Sequence, residues 1–188
     1  MLLTSERVRL RAFRQDELDE VIAGRALTPG MVGPEPDRKD LLARLLVSGS
    51  WEQNRLDLAV EAGGKLVGEM DARRGRGTYP PGVVEIGIGL YHAPTRGLGI
   101  GTEAVALLTR YLLEQEGAER VQASTASSND AMKRCLEKVG FLYEGTMREF
   151  MPGPSGRVAY DLYGFTKSDL RAAGSAVQKG HRGGNDRL

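Results

Sequence analysis

The sequence is poor in the residues that most often carry metals or covalent cross-links. A single cysteine, Cys135, occurs in 188 residues, which excludes an intramolecular disulfide framework and fits a reducing compartment. Two histidines, His92 and His181, lie far apart, and no Cys/His cluster has the spacing of a zinc site, so no metal is expected. An excess of one charge is also missing. Lys and Arg (26) nearly balance Asp and Glu (25), and a net charge of +1 gives no field for a phosphate backbone. DNA is therefore not an expected partner. No stretch approaches the roughly 18 apolar residues of a membrane span, and the opening MLLTSERVRLRAF has no apolar signal core. The expectation is a cytoplasmic protein without a membrane partner. What is present, 40% apolar and 27% charged residues, describes a globular chain able to bury a core in one domain.

Along the chain, VRLRAFR (7–13) alternates apolar and charged residues and predicts a first strand. Residues 15–26 place Leu18, Val21 and Ile22 at near-helical spacing, and after the Pro/Gly-rich 27–36 a second helix is predicted over 38–47. LDLAVEA and KLVGEMDA, separated by Gly63-Gly64, form a hairpin pattern. RRGRGTYPPG (73–82) reads as a loop whose Arg73, Arg74 and Arg76 serve solubility rather than an acidic acceptor. VVEIGIGLY (83–91) is a strand and 102–116 a helix, with Glu103, Ala106, Arg110 and Glu114 on its wet face. ERVQASTA is a strand, and a helix capped by Ser127 or Ser128 runs to Val139 with Ala131, Cys135 and Val139 in line; Gly140 ends it. Two more strands, FLYEGTMREF and RVAYDLYGFT, flank PGPSG, and 168–173 allow a helical turn. The domain is expected to span 1–173, with 174–188 a disordered polar tail. The order of elements is that of an α/β protein with a mixed sheet and helices on its faces.

The segment Arg96-Gly97-Leu98-Gly99-Ile100-Gly101-Thr102 lies between a strand and a helix. Glycines at a helix entrance let backbone N–H groups and the helix dipole face an anion, and a pyrophosphate is what such loops hold best. Arg96 adds a positive charge. A Walker loop is excluded because no lysine follows Gly101. A dinucleotide fold is disfavoured, because the following strand ends in Ser124-Thr125-Ala126 without the required acid.

From RGLGIGTEAVALL through ASSNDAMKRCLEKVGFLYEGTMRE, this sequence resembles the coenzyme A-binding half of GCN5-related N-acetyltransferases (GNAT). The Arg-x-x-Gly-x-Gly signature, the Asn at the next helix start, the Gly-Phe after it and the opening TSERVRLRAF match in order. They are most similar to the branch of ribosomal-protein N-terminal acetyltransferases, over roughly residues 3–170. The resemblance implies a GNAT fold, with a central, mostly antiparallel sheet of about seven strands and helices on both faces. It also implies acetyl-coenzyme A as co-substrate. The pyrophosphate would lie on Arg96, Gly97, Leu98, Gly99, Ile100, Gly101 and Thr102. The pantetheine arm would lie along Gly89, Leu90 and Tyr91, and Asn129 would contact the cofactor.

In VVEIGIGLY, Glu85, Gly87, Gly89 and Tyr91 share one face, and the two glycines there would admit a thin ligand arm. Glu85 is the candidate general base. An amine of pKa near 10 is only about one part in a thousand neutral at pH 7 and must lose a proton to attack. Glu69, Asp71 and Asp161 compete with it. The family's two usual thiolate acids are replaced by Leu136 and Met132, leaving Tyr143, Tyr163 or solvent. The helical alignment of Cys135 makes it a core residue, and His92 reads as a loop residue. The acceptor is expected to be a small-molecule amine or a peptide N-terminus. Another acyl donor, an aminoacyl-tRNA donor, a non-catalytic coenzyme A sensor and a homodimer all stay open.

Overall fold

The computed structural model describes residues 2–28, 37–75, 80–91 and 97–172. The strand expected over 7–13 is β2 (Val8–Arg11), and an unforeseen strand β1 (Leu2–Thr4) precedes it, folded back on it through a turn in which the Ser5 N–H donates to the Val8 carbonyl. A 3-10 turn (Gln15–Glu17) leads into helix α1 (Leu18–Ala26). Helix α2 (Arg38–Leu46) starts where the Asp37 carboxylate accepts the Asp40 N–H at 2.8 Å, an N-cap that satisfies one orphan donor. Strand β3 (Trp51–Glu52) is short. Strands β4 (Arg55–Ala62) and β5 (Lys65–Arg74) form the expected hairpin, with Gly63 and Gly64 at φ +58° and +76°. That left-handed pair matches the natural twist of the strands.

Strand β5 continues through Arg73 and Arg74, which the sequence placed in a loop. Arg74 stacks on the Trp51 ring at 3.9 Å and pairs with Glu116, and Arg73 pairs with Asp71 and Glu85. Both guanidiniums are therefore paired at the surface of the sheet; Arg76 lies outside the described residues. Strand β6 (Val83–Leu90), helix α3 (Ile100–Glu114), strand β7 (Arg120–Ala126), helix α4 (Asp130–Val139) and strands β8 (Leu142–Gly153) and β9 (Gly156–Thr166) follow. Residues 167–172 add a helical turn, and the predicted tail 174–188 lies outside the described residues.

Nine strands among the described residues form one sheet, ordered β1-β2-β4-β5-β6-β7-β9-β8 with β3 beside β4. The count exceeds the expected seven because of β1 and β3, strands of three and two residues that pair back on β2 and β4 through short turns and are too short to show an alternating pattern. Every pairing is antiparallel except β6 with β7, which α3 joins as a crossover. Helices cover both faces. Leu56, Leu58, Met70, Val84 and Ile86 pack with Val105, Leu108 and Leu112 of α3 and Leu136 of α4. On the opposite face, Ala59, Leu66 and Tyr91 pack with Leu18 and Val21 of α1 and Leu41 and Leu45 of α2. A buried arginine, Arg11, fastens β2 to the 3-10 turn and to β4 through Glu17 (2.5 Å) and Glu61 (2.7 Å).

Candidate active site

The glycine loop ends at Gly99, which caps α3 at φ +83°, and Gly97 is left-handed too at φ +78°. The first helical bond runs from the Glu103 N–H to the Gly99 carbonyl at 3.0 Å. The N–H groups of Ile100, Gly101 and Thr102 therefore have no acceptor within the helix and project from its positive end. Such a helix end is the kind of place that suits an anion. Arg96 and His92 lie outside the described residues.

A side chain at each of the two inner glycines would meet different surroundings. A Cβ on Gly99 would lie 2.9 Å from the Arg7 Nη2. A Cβ on Gly101 would turn inward to Leu90, Cys135 and Ile88 at 3.7–4.0 Å, which is ordinary contact. Arg7 and Glu103 were not singled out from sequence. Glu103, assigned to a wet helix face, accepts from the Arg7 N–H at 3.0 Å, the Arg7 Nε at 2.9 Å and the Ser5 hydroxyl. Arg7 Nη1 also donates to the Leu98 carbonyl at 2.7 Å. These residues stand more than ninety positions apart, and no local pattern announces the contact.

Below the loop, the sheet opens. Parallel pairing of β6 with β7 covers Val83↔Arg120, Val84↔Val121 and Glu85↔Gln122. From there Ala123 to Ala126 pair with β9, while Ile86 to Leu90 pair with β5. A wedge thus separates β6 from β7 and leads toward the head of α3. Backbone polar groups alternate in direction along a strand. The Tyr91 N–H donates to the Val67 carbonyl at 3.0 Å, so Tyr91 and Gly89 turn to β5, and Ile88 and Leu90 turn to the wedge. Tyr91, expected on the ligand arm, is instead a core anchor. Its side chain is 1% exposed and packs where a Cβ on Gly24 of α1 would have to sit.

Glu85 is the last residue of β6 to pair with β7, at the apex of the wedge. Gln122 Nε2 donates to its Oε2 at 3.1 Å, and Arg73 Nη2 donates to its Oε1 at 3.3 Å. Its face of the sheet is a lattice of alternating charge. Arg55, Arg73, Glu85 and Gln122 are cross-strand neighbours in one row, and Asp57, Asp71 and Gly87 in the next. The space beside Gly87, expected to admit a ligand arm, is taken by the Asp71 carboxylate, 2.8 Å from where a Cβ would be. Next in line is Glu69, bound through Oε2 to Arg25 Nη2 at 2.6 Å. Burial pushes the Glu69 carboxyl up against the pull of Arg25, and its Oε1 is buried without a partner.

On the other side of the wedge, the positions of the family's thiolate acids are apolar in fact as well as in sequence. Leu136 is fully buried and Met132 packs against the core. The Tyr143 hydroxyl is bonded to Thr146 at 2.8 Å, and Thr146 donates to Asp161 at 2.7 Å, as does Ser127. Those two hydroxyls, Thr146 first, hold the Asp161 carboxyl below its ordinary value, which weakens it as a base. The Tyr163 hydroxyl is buried against Glu137 at 3.4 Å; burial and then that carboxylate push its pKa up, which keeps it protonated but makes it a weaker acid. Cys135 is half-buried beneath Gly101, its thiol pushed up by burial and drawn back by Thr102. The apolar line on α4 is Met132, Cys135, Leu136 and Val139; Ala131 is exposed. Asn129, not Ser127 or Ser128, caps α4. Its Oδ1 accepts the Met132 N–H at 3.2 Å. Among the described residues no group of His, Cys, Asp or Glu is placed to hold a metal. No helix among them is long and apolar enough to cross a membrane.

The mixed sheet is thus split beyond one parallel pair, with a glycine-capped helix at the mouth of the split. A family model described as an acetyltransferase (GNAT) domain matches residues 7–142. The chain belongs to that family. A kanamycin resistance protein from Rhizobium radiobacter is 34% identical over 80 residues, covering 43% of this chain and 70% of that protein. A GNAT-family acetyltransferase from Bacillus anthracis superposes with a TM-score of 0.73 at 18% identity, over 89% of this chain and 99% of that one. RimL, a ribosomal-protein α-N-acetyltransferase solved with coenzyme A, superposes with a TM-score of 0.71 at 13% identity, over 88% and 98%.

Proposed function

We propose that this protein transfers an acetyl group from acetyl-coenzyme A to an amine by direct attack within a ternary complex. The observation that carries this reading is the divergence of β6 from β7 directly after Glu85 and Gln122, in line with the outward N–H groups of Ile100, Gly101 and Thr102. A diphosphate joined to a thin arm fits a helix head joined to a narrow wedge. The solved relative RimL holds coenzyme A, in support of that choice of ligand. Acetyl-coenzyme A supplies a thioester; the rest of the chemistry falls to this chain.

The amides at the head of α3 hold the diphosphate, and the backbone of Ile88 and Leu90 lines the wedge. Glu85, at its apex, receives the proton that the attacking amine must lose, with Arg73 and Gln122 fixing its orientation. The new C–N bond forms as the C–S bond breaks. With Leu136 and Met132 apolar, the departing thiolate is protonated from solvent, which an ordinary thiol pKa of about 8.5 permits. The acceptor class is a small-molecule amine or a peptide N-terminus, as the printed names of the kanamycin resistance protein and RimL suggest for those relatives.

The test is a thiol-release screen with acetyl-coenzyme A against aminoglycosides, simple amines and N-terminal peptides, with propionyl-coenzyme A as a donor control. One coenzyme A per chain by calorimetry and release with at least one acceptor are expected. A folded protein that binds neither coenzyme A nor acetyl-coenzyme A overturns the assignment.

A further inference from the structure

We propose that Arg7, in the turn between β1 and β2, is a positioning residue of the phosphate loop, holding its backbone donors toward the ligand and offsetting the charge of Glu103. The inference rests on the coenzyme A reading of that loop. Three donors of one residue act at once: Nη1 on the Leu98 carbonyl at 2.7 Å, Nε on Glu103 Oε2 at 2.9 Å and the backbone N–H on Glu103 Oε1 at 3.0 Å. Nothing about an exposed surface arginine requires this. Arg7 is 56% exposed through its side chain, yet its guanidinium is tied at two points to the mouth of the proposed site.

The bond to Leu98 acts through peptide geometry. In a trans peptide the carbonyl and the following N–H point in opposite directions. Drawing the Leu98 carbonyl to Arg7 turns the Gly99 N–H the other way, away from Arg7. Gly99 itself is held at φ +83°, and only the absence of its Cβ leaves room for Nη2, 2.9 Å from that position. The glycine at this position thus answers to Arg7 as well as to the backbone angle.

The bond to Glu103 acts through charge. Glu103 lies in the first turn of α3, where the helix dipole favours an anion, and there it competes with the diphosphate for the same positive end. The Ser5 hydroxyl, the Arg7 N–H and the guanidinium hold its carboxyl below the usual carboxylate range, so it stays charged at physiological pH. Arg7 neutralises that charge in place. Removal of Arg7 leaves Glu103 anchored by Ser5 and by the backbone, facing the phosphates uncompensated. A lysine has no planar fork with which to reach both acceptors.

The test is calorimetric titration of coenzyme A into wild type, Arg7→Ala, Arg7→Lys and the double variant Arg7→Ala/Glu103→Gln, with melting temperatures as the fold control. Arg7→Ala is expected to raise Kd about tenfold, the scale of a charge-assisted contact at a helix terminus. KM for acetyl-coenzyme A should rise in step, while kcat and the acceptor KM stay within about threefold. The double variant should bind more tightly than Arg7→Ala, because the repulsive charge is gone. Arg7→Lys should fall between wild type and Arg7→Ala, and it carries the test if Arg7→Ala does not fold. Wild-type affinity in a folded Arg7→Ala or in Arg7→Lys overturns the proposal. So does a double variant no better than Arg7→Ala. If the wild type itself does not bind coenzyme A, the functional reading fails and this inference with it.

Discussion

Replacing Arg25 by methionine removes the guanidinium that holds Glu69 while keeping much of the stem's volume. The two side chains are 10% and 11% exposed and meet at 2.6 Å, and Glu69 Oε1 has no other partner. Breaking one side of a buried ion pair costs about 3–5 kcal/mol, because the remaining charge is stranded. For a chain of this size each kcal/mol moves the melting temperature by about 2–4 °C, so a drop of roughly 6–20 °C is expected at pH 8. The loss should depend on pH. The folded-state pKa of Glu69 is raised, by burial first and by Asp71 further, against the pull of Arg25 and Arg44. The folded protein therefore binds this proton more readily than the unfolded chain. Its contribution to stability is present below the unfolded value of about 4.3 and is lost as pH rises through the raised folded value. Without Arg25 that value climbs further, so the variant's deficit should be small near pH 4.5–5 and full near pH 8. Thermal melts by circular dichroism across this range measure it, and adding Glu69→Gln should restore part of the loss at pH 8. A deficit equal at both ends of the range, or no recovery with Glu69→Gln, would refute the stranded-carboxylate account.

Glu85→Gln keeps the shape of the side chain at the wedge apex and removes its basicity. A fall in kcat of about 10²–10⁴ is expected with coenzyme A affinity unchanged, and turnover within a few-fold of wild type would transfer the role to Glu69. Gly99→Ala should weaken coenzyme A binding, since its Cβ meets Arg7 at 2.9 Å and its φ of +83° disfavours a side chain. Gly101→Ala, with only ordinary contacts, should bind as wild type does; equal affinity in both variants would contradict the division of labour between the two glycines. Gly24→Ala should lower stability by about 1–3 kcal/mol through overpacking against the Tyr91 ring, more than alanine gains in a helix; a melting temperature at or above wild type would show that the ring can shift.

How the chain divides into elements was legible where the signal is local. The β4–β5 hairpin follows from alternating residues around Gly63-Gly64, and α3 from its apolar stripe behind a glycine entrance, because turn angles and helix faces depend on residues a few positions apart. The same is true of the candidate anion site: glycines at a helix head expose N–H groups whatever the rest of the fold does. Local reading failed where a distant partner decided the outcome. Residues 73 and 74 form strand rather than loop because Glu85 and Trp51 meet them across the sheet and its edge. Asn129 caps α4 in preference to two neighbouring serines, which residue type alone does not decide.

The functional detail divides in the same way. Strand alternation placed Glu85, Gly87, Gly89 and Tyr91 on one face. It did not show that Asp71 fills the space beside Gly87 or that the Tyr91 ring is sealed beneath α1. Nor could it place the split between β6 and β7 directly after Glu85, since where two strands separated by a helix stop pairing is not written in the local pattern of either. The sequence by itself determined the glycine-rich helix entrance, the strand that carries the candidate base and the apolar residues at the family's acid positions, all matters of residue type at short spacing. Only the tertiary structure brought Arg7 to Leu98 and Glu103, Arg25 to Glu69, and Arg73 and Gln122 to Glu85, because an ion pair's worth lies in distance and burial, and neither is written in the order of residues along the chain.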